Sequence, residues 1–457
     1  MIRKVLISLV AILIASAAYY VYTALPIISG YGAKNLCSCV FVSGRDAEDV
    51  IREDISSGLL SLGKYRVNME AQTATGSVWG LAKVKAVYRE NRGCTILNGI
   101  TETELFNQPF EALLPLPERP DTLPWPMGDK MPDTVPAAIN RNQIQEVVER
   151  SFHDSAYVYP SGTRGVVVIY DTVLIAEHYK RGFTSETPQL GWSMTKSVVN
   201  AMIGRMIHEG LITDVHNPPG FSLWEEEDDP RSGISINDLL RMSSGLAWSE
   251  VYSGPSDATH MLFKSYSAGE FAYAKPLESE PGQQWSYSSG TTNILSMMIH
   301  NKENDPASDV ARKYIFNDLG MKSAIIEPDP SGTIVGSSFM WATPRDWARF
   351  GILFLKDGQY RGRRILPEGW VDYSSKLTEA SSGKYGAHFW KNEPDPISGK
   401  KTLPDVPDDT YWAGGFQGQR VFIIPSENIV VVRLGLDPKE NFDFNRFLSD
   451  IIGCFSN

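Results

Sequence analysis

Histidine and cysteine are scarce in this chain of 457 residues, with seven of the first and four of the second. None of the histidines stands in paired spacing, which argues against a Ser-His-Asp triad and against a zinc site of two closely spaced imidazoles. The cysteines, at 37, 39, 94 and 454, form no C-x-x-C. Basic stripes are missing as well. With a formal charge of −11, the chain is a poor partner for nucleic acid. From Val5 to Ala33 there is no charged residue at all. Such a run is long enough to span a bilayer, and Arg3 and Lys4 precede it, so the remainder is expected outside the cytoplasm. A cleaved signal peptide is the competing expectation, because Ala15-Ser16-Ala17 resembles a cleavage site. In an oxidising compartment Cys94 has Cys37 and Cys39 as alternative partners. The N-terminal segment is expected to contribute nothing to the soluble fold, and Cys454 is expected as a buried thiol in the last helix.

Beyond residues 1–30 the pattern suggests three regions. Residues 31–112 read as a small α+β module: DAEDVIREDISSGLL as a helix, then YRVNMEA and WGLAKVKAVYR as strands around a turn-like TATGS. Seven prolines without periodicity fill LPLPERPDTLPWPMGDKMPDTVP, so 113–139 reads as a linker. Residues 140–457 carry the longer pattern. NQIQEVVERSF is helical, GVVVIY and VLIAEHY form a hairpin, RVFIIPSENIVVVRLG forms another, and KENFDFNRFLSDII closes the chain as a helix. Strands at both ends with helices between predict an α+β fold, an antiparallel sheet flanked by helices with a helical region inserted.

Four S-x-x-K sequences occur, at Ser61, Ser193, Ser381 and Ser398. Three contain glycine and read as turns. Only SMTK continues into a helical repeat, through Val198, Val199, Met202, Ile203, Met206 and Ile207, with Gly210 as the stop. Three residues apart on a helix, Ser193 and Lys196 are neighbours. A helix start offers amide hydrogens to an oxyanion, and a buried lysine loses basicity until it can accept a proton. Further on, EPGQQWSYSSGTTNILSMMI places Tyr287 and Ser289 at the head of a second apolar helix, and a phenol beside an amine can pass a proton.

These elements resemble the serine hydrolases of the class C beta-lactamase and penicillin-binding protein group. The match covers S-x-x-K, the tyrosine motif after Pro281-Gly282, ISINDLLRMSSGLAW, and WATPRDWARFG with its helix start at Thr343, Pro344 and Asp346. The resemblance implies a beta-lactamase/transpeptidase-like fold, Ser193 as nucleophile, and Lys196 and Tyr287 as proton carriers. It implies no metal and no organic cofactor.

Two motifs depart from that group. Ser289 stands where class C enzymes have asparagine. No K-T-G or H-T-G is present; YWAGGFQGQRVFIIP occupies its place, and Trp412-Ala413-Gly414 looks like the W-G-G of some esterases. Trp412 for a basic residue removes a charge-assisted contact worth roughly 1.5–3 kcal/mol. Gly415 is the candidate for the second oxyanion donor, with Gly414, Trp412 and Ser289 as substrate contacts. Lys384-Tyr385-Gly386 is a rival to this motif. SDATHML, PLESEPG and YGAHFW are similar to the esterase and 6-aminohexanoate-dimer hydrolase branch.

The expectation is therefore a membrane-anchored periplasmic serine hydrolase acting on a small ester or amide, or a secreted one if the segment is cleaved. A beta-lactamase or D-alanyl-D-alanine carboxypeptidase, and an inactive binding module, are the alternatives. EEEDD at 225–229 reads as a solvated loop. His388 reads as packed or exposed, with a place in the pocket as the alternative. The tryptophans at 192, 285, 341 and 412 fit core or cleft equally.

Overall fold

The computed structural model describes residues 2–109, 122–136, 139–153, 156–157, 162–222, 224, 226, 228–303 and 309–455. Part of the proline-rich stretch and two of the five acids at 225–229 lie outside the described residues. Of the other three, Glu226 and Asp228 are exposed, and Asp229 pairs with Arg231.

A six-stranded antiparallel sheet organises the larger part of the chain. Its order is Trp390–Lys391, Tyr411–Gly415, Gln419–Ile424, Ile429–Gly435, Thr163–Tyr170 and Val173–Tyr179. The two expected hairpins are its last four strands, and they meet where Ile429–Gly435 pairs with Thr163–Tyr170. Both central strands are buried on both faces, which accounts for their unbroken apolar runs. Val167 and Ile169 face one core; Val166 and Val168 face the other, beneath the helices Arg141–Arg150 and Phe444–Ile452. The first core holds the helix Thr195–His208, the helix Ser289–Lys302 and the helix Pro344–Leu355. Thr343 caps the last of these by accepting from the Asp346 amide at 3.2 Å, with Pro344 at its first position. Cys454 is buried but lies just past the final helix rather than within it.

The N-terminal region departs from expectation in two ways. One helix runs unbroken from Ile2 to Phe41, so residue 30 marks no change of structure. Its first part is exposed, with Leu13 at 72% and Tyr22 at 75%, whereas Leu25, Ile28, Ser29, Ala33 and Leu36 are buried. The buried half lies across a four-stranded antiparallel sheet, Gly63–Asn68, Thr73–Val78, Leu81–Arg89 and Gly93–Ile96. So the uncharged segment is half scaffold, contrary to its sequence-based reading. TATGS, expected as a turn, is the second strand of that sheet. Its glycine serves close packing: a Cβ on Gly76 would sit 2.2 Å from the Ser29 carbonyl oxygen.

A disulfide joins Cys37 to Cys94, leaving Cys39 as a buried thiol. Beside it, the Lys34 ammonium pairs with Glu327, both fully enclosed. Glu327 also accepts from the Cys94 amide, Ser38 Oγ and Trp341 Nε1 at 2.6, 2.7 and 2.8 Å. These contacts lock helix, small sheet and main body together.

Candidate active site

Ser193 sits in a short 3-10 turn, Trp192–Met194, that feeds directly into the helix Thr195–His208. Its predecessor Trp192 has φ +48°, a conformation that costs an L side chain energy and that recurs at functional turns. One helical turn on, Lys196 is buried, and its ammonium nitrogen donates to Ser193 Oγ at 2.9 Å. It also donates to Ser289 Oγ and to the Ser337 carbonyl, each at 3.0 Å. Burial lowers the Lys196 pKa to about 8, and the negative charge of Glu250 opposes the shift.

Tyr287 approaches from the opposite side. Ser193 lies near enough to its phenol to oppose the rise in its pKa, and its ring lies 4.9 Å from the Lys196 nitrogen. Burial, with Glu250 second, pushes the phenol's pKa far up, so it remains protonated near neutral pH. Trp390 stacks on this ring at 5.5 Å, and Tyr385 meets it edge-on at 5.8 Å. The phenol is thereby held in place.

Ser289 begins the helix Ser289–Lys302, and its hydroxyl links two charges. It accepts from Lys196 and donates to Glu250 Oε1 at 2.5 Å. Glu250 also accepts from the Ser289 amide at 2.9 Å, Trp248 Nε1 at 2.6 Å and the Tyr252 phenol at 2.9 Å. A hydroxyl in place of an amide therefore has a purpose here, since it relays Lys196 to a carboxylate. Sequence reasoning missed Glu250 and Tyr252. They lie in an irregular stretch before Ser256 with no periodic or motif signal.

The strand Tyr411–Gly415 brings its end against the turn before Ser193. A Cβ on Gly415 would stand 2.1 Å from the Gly191 carbonyl oxygen, so glycine is what permits this approach. At Gly414 a Cβ would fall 2.8 Å from the Trp390 ring. Trp412 is not itself at the serine. It is paired across the sheet with Trp390 and packs on Phe422 at 5.6 Å, one ring removed from Tyr287. Arg420, across from Gly414, places a guanidinium near enough to Tyr287 to oppose the rise in its pKa. That cation was not anticipated. Lys384 of the rival motif is exposed and lies outside the strand, although Tyr385 beside it reaches the site.

His388 is buried rather than in the cleft. Its Nδ1 bonds the Lys196 carbonyl at 2.7 Å, its Nε2 bonds Thr292 Oγ1 at 3.2 Å, and burial takes its pKa down to about 3. It is a neutral packing residue. Trp192 and Trp341 are buried, the latter bonded to Glu327, and Trp285 borders the aromatic group around Tyr287. Among the described residues no group of three metal-ligating side chains gathers.

The sequence model of the family described as beta-lactamase matches residues 156–446. A 6-aminohexanoate-dimer hydrolase from Paenarthrobacter ureafaciens is 23% identical over 304 residues, spanning 60% of this chain and 73% of the relative. Among solved structures, a Bacillus anthracis chain provisionally described as a 6-aminohexanoate-dimer hydrolase is similar with a TM-score of 0.56, at 18% identity, covering 77% of this chain and 92% of the other. A family VIII carboxylesterase is similar with a TM-score of 0.54, at 12% identity, covering 71% and 98%.

Proposed function

The chain belongs to the beta-lactamase family of serine hydrolases, and from that premise we propose that it cleaves an ester or amide through an acyl-enzyme on Ser193. The observation that carries this reading is the buried Lys196, 2.9 Å from Ser193 Oγ with its pKa lowered to about 8. Neutral Lys196 takes the Ser193 proton as Oγ bonds to the acyl carbon, and the carbonyl electrons move to its oxygen. The amide hydrogens of Ser193 and Gly415 hold that oxyanion. Collapse expels the alcohol or amine, which takes its proton from Tyr287, and Lys196 reprotonates the phenol. Water then repeats the sequence, giving the free acid and restoring Ser193.

Ester or small-amide substrates are favoured over beta-lactams by the absence of a K-T-G or H-T-G triplet and by the serine-for-asparagine change at Ser289. The named relatives, a 6-aminohexanoate-dimer hydrolase and a carboxylesterase, agree with that class. Turnover of p-nitrophenyl acetate well above that of nitrocefin is expected; the reverse preference returns the beta-lactamase reading. A fluorophosphonate probe that fails to label the wild-type chain favours an inactive binding module.

Export and anchoring complete the proposal. The helix Ile2–Phe41 is long and apolar enough to cross a membrane, with a mean hydropathy of 2.2 over its best window. Arg3 and Lys4 lie at its head, and the Cys37–Cys94 disulfide suits an oxidising compartment. Full-length protein retained in carbonate-washed membranes is expected. Mature protein shortened at its N-terminus and free in the medium contradicts anchoring.

A further inference from the structure

Between the N-terminal helix and the residues Tyr252 and Phe416 lies a cavity of about 420 Å³. That volume falls within the range of small-molecule sites, roughly 300–1,000 Å³. Ile27 and Ile28 of the helix, Leu59, Phe263, Tyr252 and Phe416 form its main walls, and among the described residues no charged side chain lines it. Four other cavities of the molecule each carry lysine, arginine, aspartate or glutamate. A site without charge suits neither an anionic headgroup nor a sugar; it suits hydrocarbon.

Its place in the fold is equally specific. On one side stands the part of the N-terminal helix where exposure ends, between Tyr22 at 75% and Ala24 at 7%. On the other stand the rings of Tyr252 and Phe416, stacked at 5.2 Å with 17° between their planes. Each ring contacts a neighbour of the candidate site. Phe416 meets Trp192, the neighbour of Ser193, edge-on at 5.7 Å. The Tyr252 phenol bonds Glu250 and lies 3.4 Å from Ser289 Oγ, the hydroxyl that accepts from Lys196. The wall of the cavity and the surroundings of Ser193 thus share the Tyr252–Phe416 pair.

We propose that this cavity holds the hydrocarbon tail of a medium- or long-chain acyl group whose carbonyl is attacked by Ser193, so that the enzyme is a fatty-acyl ester or amide hydrolase. The inference rests on the serine-hydrolase reading and narrows its substrate class. The carbonyl sits at Ser193, the chain turns past the edge of the Tyr252–Phe416 pair, and its end lies against Ile27 and Ile28. Part of the binding site is then supplied by the N-terminal helix, which explains why that helix is packed into the body instead of tethered to it.

The full-length protein in detergent is assayed with p-nitrophenyl acetate, butyrate, octanoate and dodecanoate. In the wild type, kcat/KM is expected to rise by at least about tenfold from acetate to octanoate. In Leu59→Trp and Ile28→Trp, each of which fills the cavity, the octanoate-to-acetate ratio is expected to collapse toward one. A flat or falling series in the wild type, or a rise that survives both substitutions, overturns the proposal while acetate turnover keeps the hydrolase reading intact. A readout independent of turnover is the fluorescence of dansylaminoundecanoic acid added to Ser193→Ala. Saturable binding that Leu59→Trp weakens supports the tail site, and absence of binding overturns it even if no ester is cleaved. Dodecanoyl monoglyceride presented in phosphatidylcholine vesicles and in dilute solution identifies the source. Faster cleavage in vesicles assigns the substrate to the bilayer and equal cleavage to solution, either result retaining the tail site.

Discussion

At the scale of single residues, the chemistry turns on how Lys196 is held. Burial alone would take its pKa further down; Glu250, reached through Ser289, holds part of it back. Activity that needs neutral Lys196 should rise with pH through about 8 and level off above it. Glu250→Gln removes the charge that raises the Lys196 pKa, so the rising limb should move to lower pH. A kcat/KM profile of both proteins checks this, and an unmoved limb rejects the coupling. Lys196→Ala should cost about 10²–10⁴ in kcat/KM. The grouping of Ser193, Lys196 and Tyr287 was legible in the sequence because spacing on a helix and order along the chain are local signals. Glu250 was not, since it reaches Ser289 across 39 positions from an irregular stretch. Arg420 was hidden in an ordinary strand pattern, where nothing distinguishes a charge that faces a phenol from one that faces water.

Among elements, the strand Tyr411–Gly415 and the turn before Ser193 must approach to backbone distance. Gly415→Val forces them apart, because a Cβ there would stand 2.1 Å from the Gly191 carbonyl oxygen. Loss of about 10²–10³ in kcat is expected from misplacing an oxyanion donor, with the folded circular dichroism spectrum retained. Unchanged kcat would remove Gly415 from the site. The hairpins of the main sheet were legible because they combine unbroken apolar runs with short turns. The TATGS strand was not: threonine, glycine and serine read as a turn, but here glycine admits the N-terminal helix. The buried half of that helix was equally opaque. An uncharged apolar run looks the same whether lipid or a sheet covers it.

At the scale of the molecule, the N-terminal helix, its sheet and the hydrolase body share one buried junction. Lys34, Ser38, Cys94 and Trp341 all converge on Glu327. Lys34→Met leaves that carboxylate without its cation, and about 3–5 kcal/mol of stability should go with it. The midpoint of denaturant unfolding in detergent measures the loss, and an unchanged midpoint contradicts the junction. Every step of the proposed reaction requires Ser193 to act as the nucleophile. Intact-mass spectrometry of the full-length protein after brief exposure to a fluorophosphonate, followed by peptide mapping, tests this most directly. One adduct per chain on Ser193, absent in Ser193→Ala, is the predicted result; an adduct on Ser289 or another residue, or none at all, contradicts it.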